Sequence, residues 1–214
     1  MKKNLLIWVL LCGATLPAAR AQFSDHFVGH FGLMWESFNM VYADPTRQLG
    51  DDFAFNYTTI GVGGYYSLAH AKDVVSVGID GSAQVGIRFA TNFGNPIYVK
   101  VPVYAAFRLG ALATPYNQQA IGISAGIGGS FNHLDNFRIL SEVRRSTFFN
   151  PGVMLQGTLI TRGSPITGRI HFSLSQPESI LKYTGDNPGG NNGLNVDFPY
   201  RYQGILGFGL LYGF

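Results

Sequence analysis

The chain has 214 residues, of which 28 are glycine, 14% are aromatic and 13% are charged, with 15 basic residues against 12 acidic ones. This length suits one domain. Lys2, Lys3 and Arg20 account for the whole positive excess, so the charge of the remaining chain gives no indication of a nucleic-acid partner. The single cysteine, Cys12, excludes an intramolecular disulfide and a cysteine metal site.

The first 21 residues have the pattern of a secretory signal peptide. Two lysines follow Met1, an apolar run extends from Leu5 to Leu11, and small residues stand at Ala19 and Ala21. We therefore predict cleavage before Gln22, which leaves residues 22–214 as the mature domain. The apolar run is too short to span a membrane. Because leucine precedes Cys12, where a lipoprotein has a small residue, we do not predict a lipid-modified cysteine.

The mature chain contains no run of about 18 apolar residues, the minimum for a membrane-spanning helix. Instead, apolar and polar residues alternate in segment after segment, as in a β-strand whose two faces meet different surroundings. An exported chain of this kind can cross a membrane as a closed β-barrel, which pairs all its backbone groups internally. The predicted strands are residues 27–36, 53–68, 75–89, 97–109, 120–131, 151–160, 166–175 and 200–214.

The connections between these strands fall into two classes. Residues 42–52, 132–150 and 176–199 are long and polar, and the second of them is charged enough to suggest a helical turn. The connections after the second, fourth and sixth strands are short. All the long connections therefore lie at one end of the predicted barrel, which is typical of outer-membrane barrels with short periplasmic turns and long outer loops. The short third-to-fourth connection departs from this rule.

The parity of the strands that faces the predicted lumen collects most of the charge. An eight-stranded barrel is wide enough only to be filled by its own side chains, so we expect these residues to form a hydrogen-bonded and ion-paired plug. Pairing of the third and fourth strands would bring Asp80 near Arg108. The predicted polar network of the lumen consists of Glu36, Asp80, Arg88, Lys100, Arg108, Arg169 and Arg201.

The last strand carries the most specific pattern in the chain. From Tyr200 onward every second residue except Gly204 is large and apolar, up to the aromatic carboxyl terminus. This ending resembles the C-terminal strand by which the assembly machinery of Gram-negative bacteria recognises outer-membrane barrels. The resemblance implies an all-β, eight-stranded antiparallel up-and-down transmembrane barrel, similar to the class of the OmpA membrane domain, OmpX, OmpW and the PorT-like barrels. The assembly signal would comprise Phe208, Leu210, Tyr212 and Phe214.

That class includes proteins with several functions, so the fold does not determine the activity. We expect a non-enzymatic protein of the cell outer membrane, without a cofactor or a metal, whose outer loops bind lipopolysaccharide or a partner protein of the envelope. Arg138, Arg144 and Arg145 could bind lipopolysaccharide phosphates, although a solvated loop would have the same composition. We expect no nucleic-acid partner.

Three alternatives remain open on the sequence alone. His171 and Ser173, two residues apart on one strand face, resemble the pair in the outer-membrane lipid A deacylases, but the asparagine that follows the serine in that family is absent here. A narrow channel for small solutes would use the same lumen. A soluble lipocalin-like binder would point the apolar parity inward.

Overall fold

The computed structural model describes residues 25–42, 53–87, 97–139, 142–174 and 200–213. They form eight antiparallel strands, each paired with the next, and the last strand pairs with the first to close a barrel. The predicted eight-stranded up-and-down barrel is confirmed. The predicted signal peptide lies outside the described residues. The strands are β1 Phe27–Tyr42, β2 Phe53–Ala71, β3 Val75–Ile87, β4 Ile97–Gly110, β5 Ile121–Ile139, β6 Glu142–Thr161, β7 Ser164–Ser173 and β8 Tyr200–Gly213.

The strands are strongly staggered around the barrel. A path that starts at Val28 and moves from each residue to its partner on the next strand passes through Asp80, Gly128 and Ser173. It returns to β1 at Phe38, ten residues further along the strand (38 − 28). Stagger of this kind goes with strands that tilt by roughly 35–45° from the barrel axis. The tilt places side chains from strands on opposite walls at the same height in the lumen.

The two faces of the sheet have the inverted pattern of a membrane protein. Large apolar residues point outward, and Ile60, Ile127 and Leu210 are 62%, 70% and 66% exposed. Charged residues point inward, and Asp80 and Lys100 are fully buried. A soluble lipocalin-like barrel would have the opposite arrangement, so that alternative is wrong. Among the described residues there is no helix long and apolar enough to span a membrane.

The sequence misplaced several strand ends at one rim of the barrel. The segment 132–150 is not a charged connection with a helical turn, because β5 continues to Ile139 and β6 begins at Glu142. The sixth strand therefore starts nine residues before the predicted Pro151 (151 − 142). Tyr42, placed in a loop by its sequence, is the last residue of β1. β5 and β6 have 19 and 20 residues, against the 9–11 that span a membrane. Within the described ranges, their hairpin extends beyond β4 and β7.

Candidate functional site

The lumen contains two clusters of buried charge. In the first, the Asp80 carboxylate on β3 binds two arginines. Arg108 Nη2 on β4 donates to Oδ2 at 2.8 Å, and Arg169 Nη2 on β7 donates to Oδ1 at 2.6 Å. The register pairs Asp80 with Tyr104, so Arg108 reaches the carboxylate diagonally, from four residues further along β4. Charge-assisted bonds of this kind hold opposite walls of the barrel together.

Two more side chains complete this first cluster. The amide of Gln156 fits best with its oxygen toward Arg169, where it accepts from Nη2 at 2.5 Å and from Nε at 2.7 Å. The guanidinium of Arg108 stacks over the Tyr65 ring, 3.9 Å from its centroid. Such stacking is favourable where the cation is shielded from water. The Asp80 cluster is therefore enclosed by partners on β2, β3, β4, β6 and β7.

The second cluster is centred on Glu36 of β1. Lys100 Nζ donates to Glu36 Oε1 at 2.9 Å, and both side chains are fully buried. The Tyr98 hydroxyl lies 3.0 Å from Glu36 Oε2 and 2.7 Å from Asn132 Oδ1, and its one hydrogen can serve either oxygen. The described lumen thus holds two carboxylates and three permanent cations, an excess of one positive charge.

His171 belongs to this Glu36 cluster. Its Nε2 lies 2.6 Å from Lys100 Nζ and 3.9 Å from Glu36 Oε1. An ammonium group can only donate hydrogen bonds, so Nε2 is the acceptor and the ring is neutral, with its hydrogen on Nδ1. The ring lies directly over Gly207 of β8, where a Cβ atom would overlap it. His171 is therefore held in place from two sides.

The hydrolase hypothesis paired His171 with Ser173, but the structure does not join them. Ser173 ends β7, opposite Gly152 and Ile205, and among the described residues its hydroxyl makes no hydrogen bond to the imidazole. Nε2 of the ring is already occupied by Lys100, and the side chain points into the lumen rather than toward lipid. A serine nucleophile requires a histidine nitrogen free to take its proton.

The ten-residue connection 111–120 between β4 and β5 closes one end of the lumen. Ala111, Ala113 and Thr114 are buried, although they belong to a turn. Ser76 Oγ donates to the Ala113 carbonyl at 2.5 Å, and Arg108 Nη1 donates to the Leu112 carbonyl at 3.1 Å. The connection is thus folded into the mouth of the barrel by the residues that line it.

Outside that mouth, two exposed residues join this connection to the start of β1. Tyr116 donates a hydrogen bond to the Asp25 carboxylate, and this bond raises the pKa of the Tyr116 hydroxyl because ionisation would remove the shared hydrogen. The contact fixes the turn 111–120 against the chain just before β1.

The inner face of β5, which its sequence leaves almost bare, is covered by side chains of other strands. A Cβ atom at Gly126 would lie 3.0 Å from Met154 Cε of β6 and 3.1 Å from Tyr104 Cβ of β4. Tyr65, Tyr104, Ala106 and Met154 form a buried apolar cluster there. Tyr104, Ala106 and Met154 come from the adjacent strands β4 and β6, and Tyr65 reaches the same space from β2, which is not a neighbour of β5.

The structure describes the remaining predicted residues only in part. Arg88 and Phe214 lie outside the described residues, and the backbone of Arg201 belongs to β8, but the structure does not describe its side chain. Phe208, Leu210 and Tyr212 are exposed on the outer face of β8. Their role in assembly stays a prediction.

Sequence reasoning missed several partners of the charged network. These residues carry little individual signal, since tyrosine, glutamine and serine occur on many strand faces, but their inward parity could have identified them. The missed partners are Tyr65, Ser76, Asn132 and Gln156.

Among the described residues no group of three or more histidine, cysteine or acidic side chains is arranged to hold a metal ion.

No family model matches the chain, and a search of curated proteins finds no significant match. The solved structures similar to it include OprG, an outer-membrane protein of Pseudomonas aeruginosa, with 12% identity, a TM-score of 0.52, and coverage of 89% of this chain and 96% of that one. Neisserial surface protein A has 10% identity and a TM-score of 0.45 over 87% and 97% of the two chains. Ail of Yersinia pestis has 9% identity and a TM-score of 0.41 over 88% and 99%.

At these identities the likeness concerns the fold alone. The match to OprG agrees with what the residues show independently: a closed eight-stranded barrel, apolar outside and charged inside. A barrel with that inverted pattern is built to lie in a bilayer, where its backbone groups are all paired and its outer side chains meet hydrocarbon. The chain has the fold of the small eight-stranded outer-membrane β-barrels.

Proposed function

We propose that this protein is a non-enzymatic outer-membrane barrel that acts at its outer end, by binding the phosphates of lipopolysaccharide or a partner protein. The observation that carries the proposal is the filled lumen. Asp80 binds Arg108 of the adjacent strand and Arg169 of a distant one, and Glu36 binds Lys100 of a strand that is not its neighbour, so the interior is occupied by a fixed set of ion pairs. A barrel filled in this way contributes to function through its exposed surfaces.

The β5–β6 hairpin is the part of the outer rim that supports this proposal. β7 ends opposite Gly152, and β4 begins opposite Asp135, so the outer part of the β5–β6 hairpin pairs only within itself in the described chain. Arg144 pairs with Phe137 and Arg138 with Val143 at the end of this hairpin. Arginine is suited to bind phosphate, because a guanidinium group forms paired, charge-assisted hydrogen bonds with phosphate oxygens.

Photo-crosslinking in intact cells tests the proposal. A photoreactive amino acid at Arg144, or at Asn191 in the predicted long connection 176–199, is expected to attach lipopolysaccharide or one envelope protein. The same amino acid at Lys72, on the short β2–β3 turn, is expected to attach neither. Purified barrel with Arg138, Arg144 and Arg145 all changed to glutamine should bind immobilised lipopolysaccharide roughly tenfold more weakly. Equal labelling from both ends, with unchanged lipopolysaccharide binding, would contradict the proposal.

A further inference from the structure

The outer wall of the barrel has a notch at the centre of its β6–β7 face. Gly157 and Gly168 are paired across these strands and both point outward. A Cβ atom at Gly157 would meet nothing within 4 Å, and one at Gly168 would meet only the Gly157 carbonyl oxygen, at 3.9 Å. The wall therefore lacks two adjacent side chains where neighbouring positions carry large ones.

Large apolar side chains surround this notch on β6 and β7 and on the neighbouring strands β5 and β8. The residues two positions before and two positions after each glycine on its own strand, and the residues opposite the glycines on β5 and β8, are all large, aliphatic and exposed. The notch is thus a depression one side chain deep in an otherwise continuous apolar surface. Its frame consists of Ile123, Leu155, Leu159, Ile166, Ile170 and Leu210.

The notch opens into a longer groove toward β8 and β1. The groove has a volume of about 910 Å³, which lies within the range of small-molecule sites, roughly 300–1,000 Å³. Its far wall carries two aromatic pairs across the β1–β8 seam, Phe31 with Tyr212 and Trp35 with Phe208, with ring centroids 5.4 and 4.9 Å apart. The Tyr212 hydroxyl donates to Ser164 Oγ at the start of β7. Tyrosine side chains are typical of the membrane–water interface, which we place here, on the side of the short turns.

A positively charged side chain lies at that same end of the groove. Arg162 lies in the β6–β7 turn, is exposed, and forms no ion pair with any carboxylate among the described residues. Five residues separate it from Gly157, about 17 Å along the strand. With a strand tilt of about 40°, the height difference along the membrane normal is about 13 Å. A lipid phosphate at Arg162 would therefore place the middle of its acyl chain at the height of the notch.

From this arrangement we propose that the groove binds one anionic phospholipid of the periplasmic leaflet, with an acyl chain across Gly157 and Gly168 and its phosphate on Arg162. The apolar frame accepts the chain because both surfaces are hydrocarbon and fit closely where the glycines leave room. The guanidinium of Arg162, which pairs with no carboxylate in the described ranges, favours a headgroup with a net negative charge over a zwitterionic one. This site is independent of the outer hairpin to which the function above is assigned.

Tryptophan fluorescence provides a direct test. Trp35 lines the groove, and it is the one tryptophan left after removal of the predicted signal peptide, which contains Trp8. The mature chain, refolded in dodecyl maltoside, is titrated with phosphatidylglycerol carrying a dibrominated acyl chain. We expect saturable quenching of Trp35. Gly157→Leu with Gly168→Leu, which fills the notch from two positions where a Cβ atom meets no close contact, should raise the lipid concentration for half-quenching about fivefold or more.

Two further variants make the test specific. Gly81→Leu is the matched control, because Gly81 also points outward, on β3, and a Cβ there meets only ordinary contacts at 3.6 Å and beyond. It should leave the titration unchanged. Arg162→Gln should weaken quenching by brominated phosphatidylglycerol about fivefold and weaken that by brominated phosphatidylcholine less, because the choline group offsets the charge of its phosphate. Folding of each variant is checked by heat-dependent gel mobility.

Three results would overturn the proposal. One is the same quenching curve for the parent and the notch-filled variant. Another is an Arg162→Gln variant with no loss of preference for the anionic lipid. The third is a parent barrel that dimerises in detergent while the notch-filled variant stays monomeric, since the occupant of the groove would then be a second copy of the chain.

Discussion

The Arg169 guanidinium of β7 reaches across the lumen to the Asp80 carboxylate of β3, with Nη2 2.6 Å from Oδ1. These strands are not neighbours in the sheet. Arg108 occupies the other oxygen of the same carboxylate, so one anion is the shared counter-ion of two cations that are both nearly inaccessible to water. Loss of that single carboxylate would leave both guanidinium groups without their counter-ion.

Asp80→Asn should therefore be strongly destabilising. Breaking a buried ion pair by removing one partner costs about 3–5 kcal/mol, and here two partners are affected. We expect a fall of at least that size in the free energy of unfolding, measured by urea titration in lipid vesicles. Asp73→Asn is the control, since Asp73 lies in an exposed turn with a 3.3 Å contact to His70 and should cost less than about 1 kcal/mol. Equal effects of the two substitutions would contradict this account of the lumen.

The Glu36 cluster gives a second test, by a double-mutant cycle. Lys100→Met leaves the buried Glu36 carboxylate without its cation and should destabilise the barrel by about 3–5 kcal/mol. Adding Glu36→Gln removes the stranded charge, so the double variant should recover at least about 1 kcal/mol relative to Lys100→Met alone. Strictly additive losses would mean that the two side chains do not interact in the folded protein.

The close contact of Gly207 with the imidazole gives a third prediction. Because a Cβ atom at position 207 would overlap the His171 ring, Gly207→Ala should push the imidazole away from Lys100 Nζ. Overpacking of this kind costs about 1–3 kcal/mol in unfolding free energy. Gly81→Ala, on the outer face of β3, should be neutral within about 0.5 kcal/mol. If Gly207→Ala is as stable as that control, the packing of His171 described above is wrong.

Much of the fold was predictable because the bilayer imposes its pattern directly on the sequence. Lipid requires an apolar residue at every outward position, so the parity of Val75 to Val85 and of Leu206 to Tyr212 indicated which face meets hydrocarbon. Beyond the membrane that requirement ends. The outer parts of β5 and β6 alternate no longer, and residues 132–150 therefore resembled a charged loop although residues 132–139 belong to β5 and residues 142–150 to β6.

The lumen was predictable only in part, for a geometric reason. Parity identified Glu36, Asp80, Lys100, Arg108 and Arg169 as inward residues, but contacts across the barrel depend on how far the strands are staggered. The sequence contains no local indication of that stagger. It could propose Asp80 with Arg108 on adjacent strands, and it could not propose Arg169 with Asp80 on opposite walls.

A filled lumen also predicts electrical silence. With Asp80, Arg108 and Arg169 joined across the interior and Ala113 folded into its mouth, the barrel reconstituted in planar bilayers should show no conductance steps above baseline. Replacing Asp80 and Arg169 together by alanine removes an ion pair and most of its volume, so this variant should show measurable steps if it folds by heat-dependent mobility. Well-defined steps from the unmodified barrel would instead favour the narrow channel.

If the protein were a lipid A hydrolase, Ser173 would be the residue that attacks the acyl ester. The geometry of the lumen predicts instead that Ser173 has no catalytic role. A nucleophile needs a basic partner, but the Nε2 acceptor of His171 is taken by the Lys100 ammonium group, and the strand geometry directs both side chains inward while lipid acyl chains lie outside. Ser173→Ala and His171→Ala should therefore leave the acylation of lipid A unchanged, as measured by mass spectrometry of lipid A from a deletion strain complemented with each variant or with the unaltered chain. A deacylated species present with the unaltered chain and absent with both variants would establish catalysis and would require His171 to leave Lys100 during turnover.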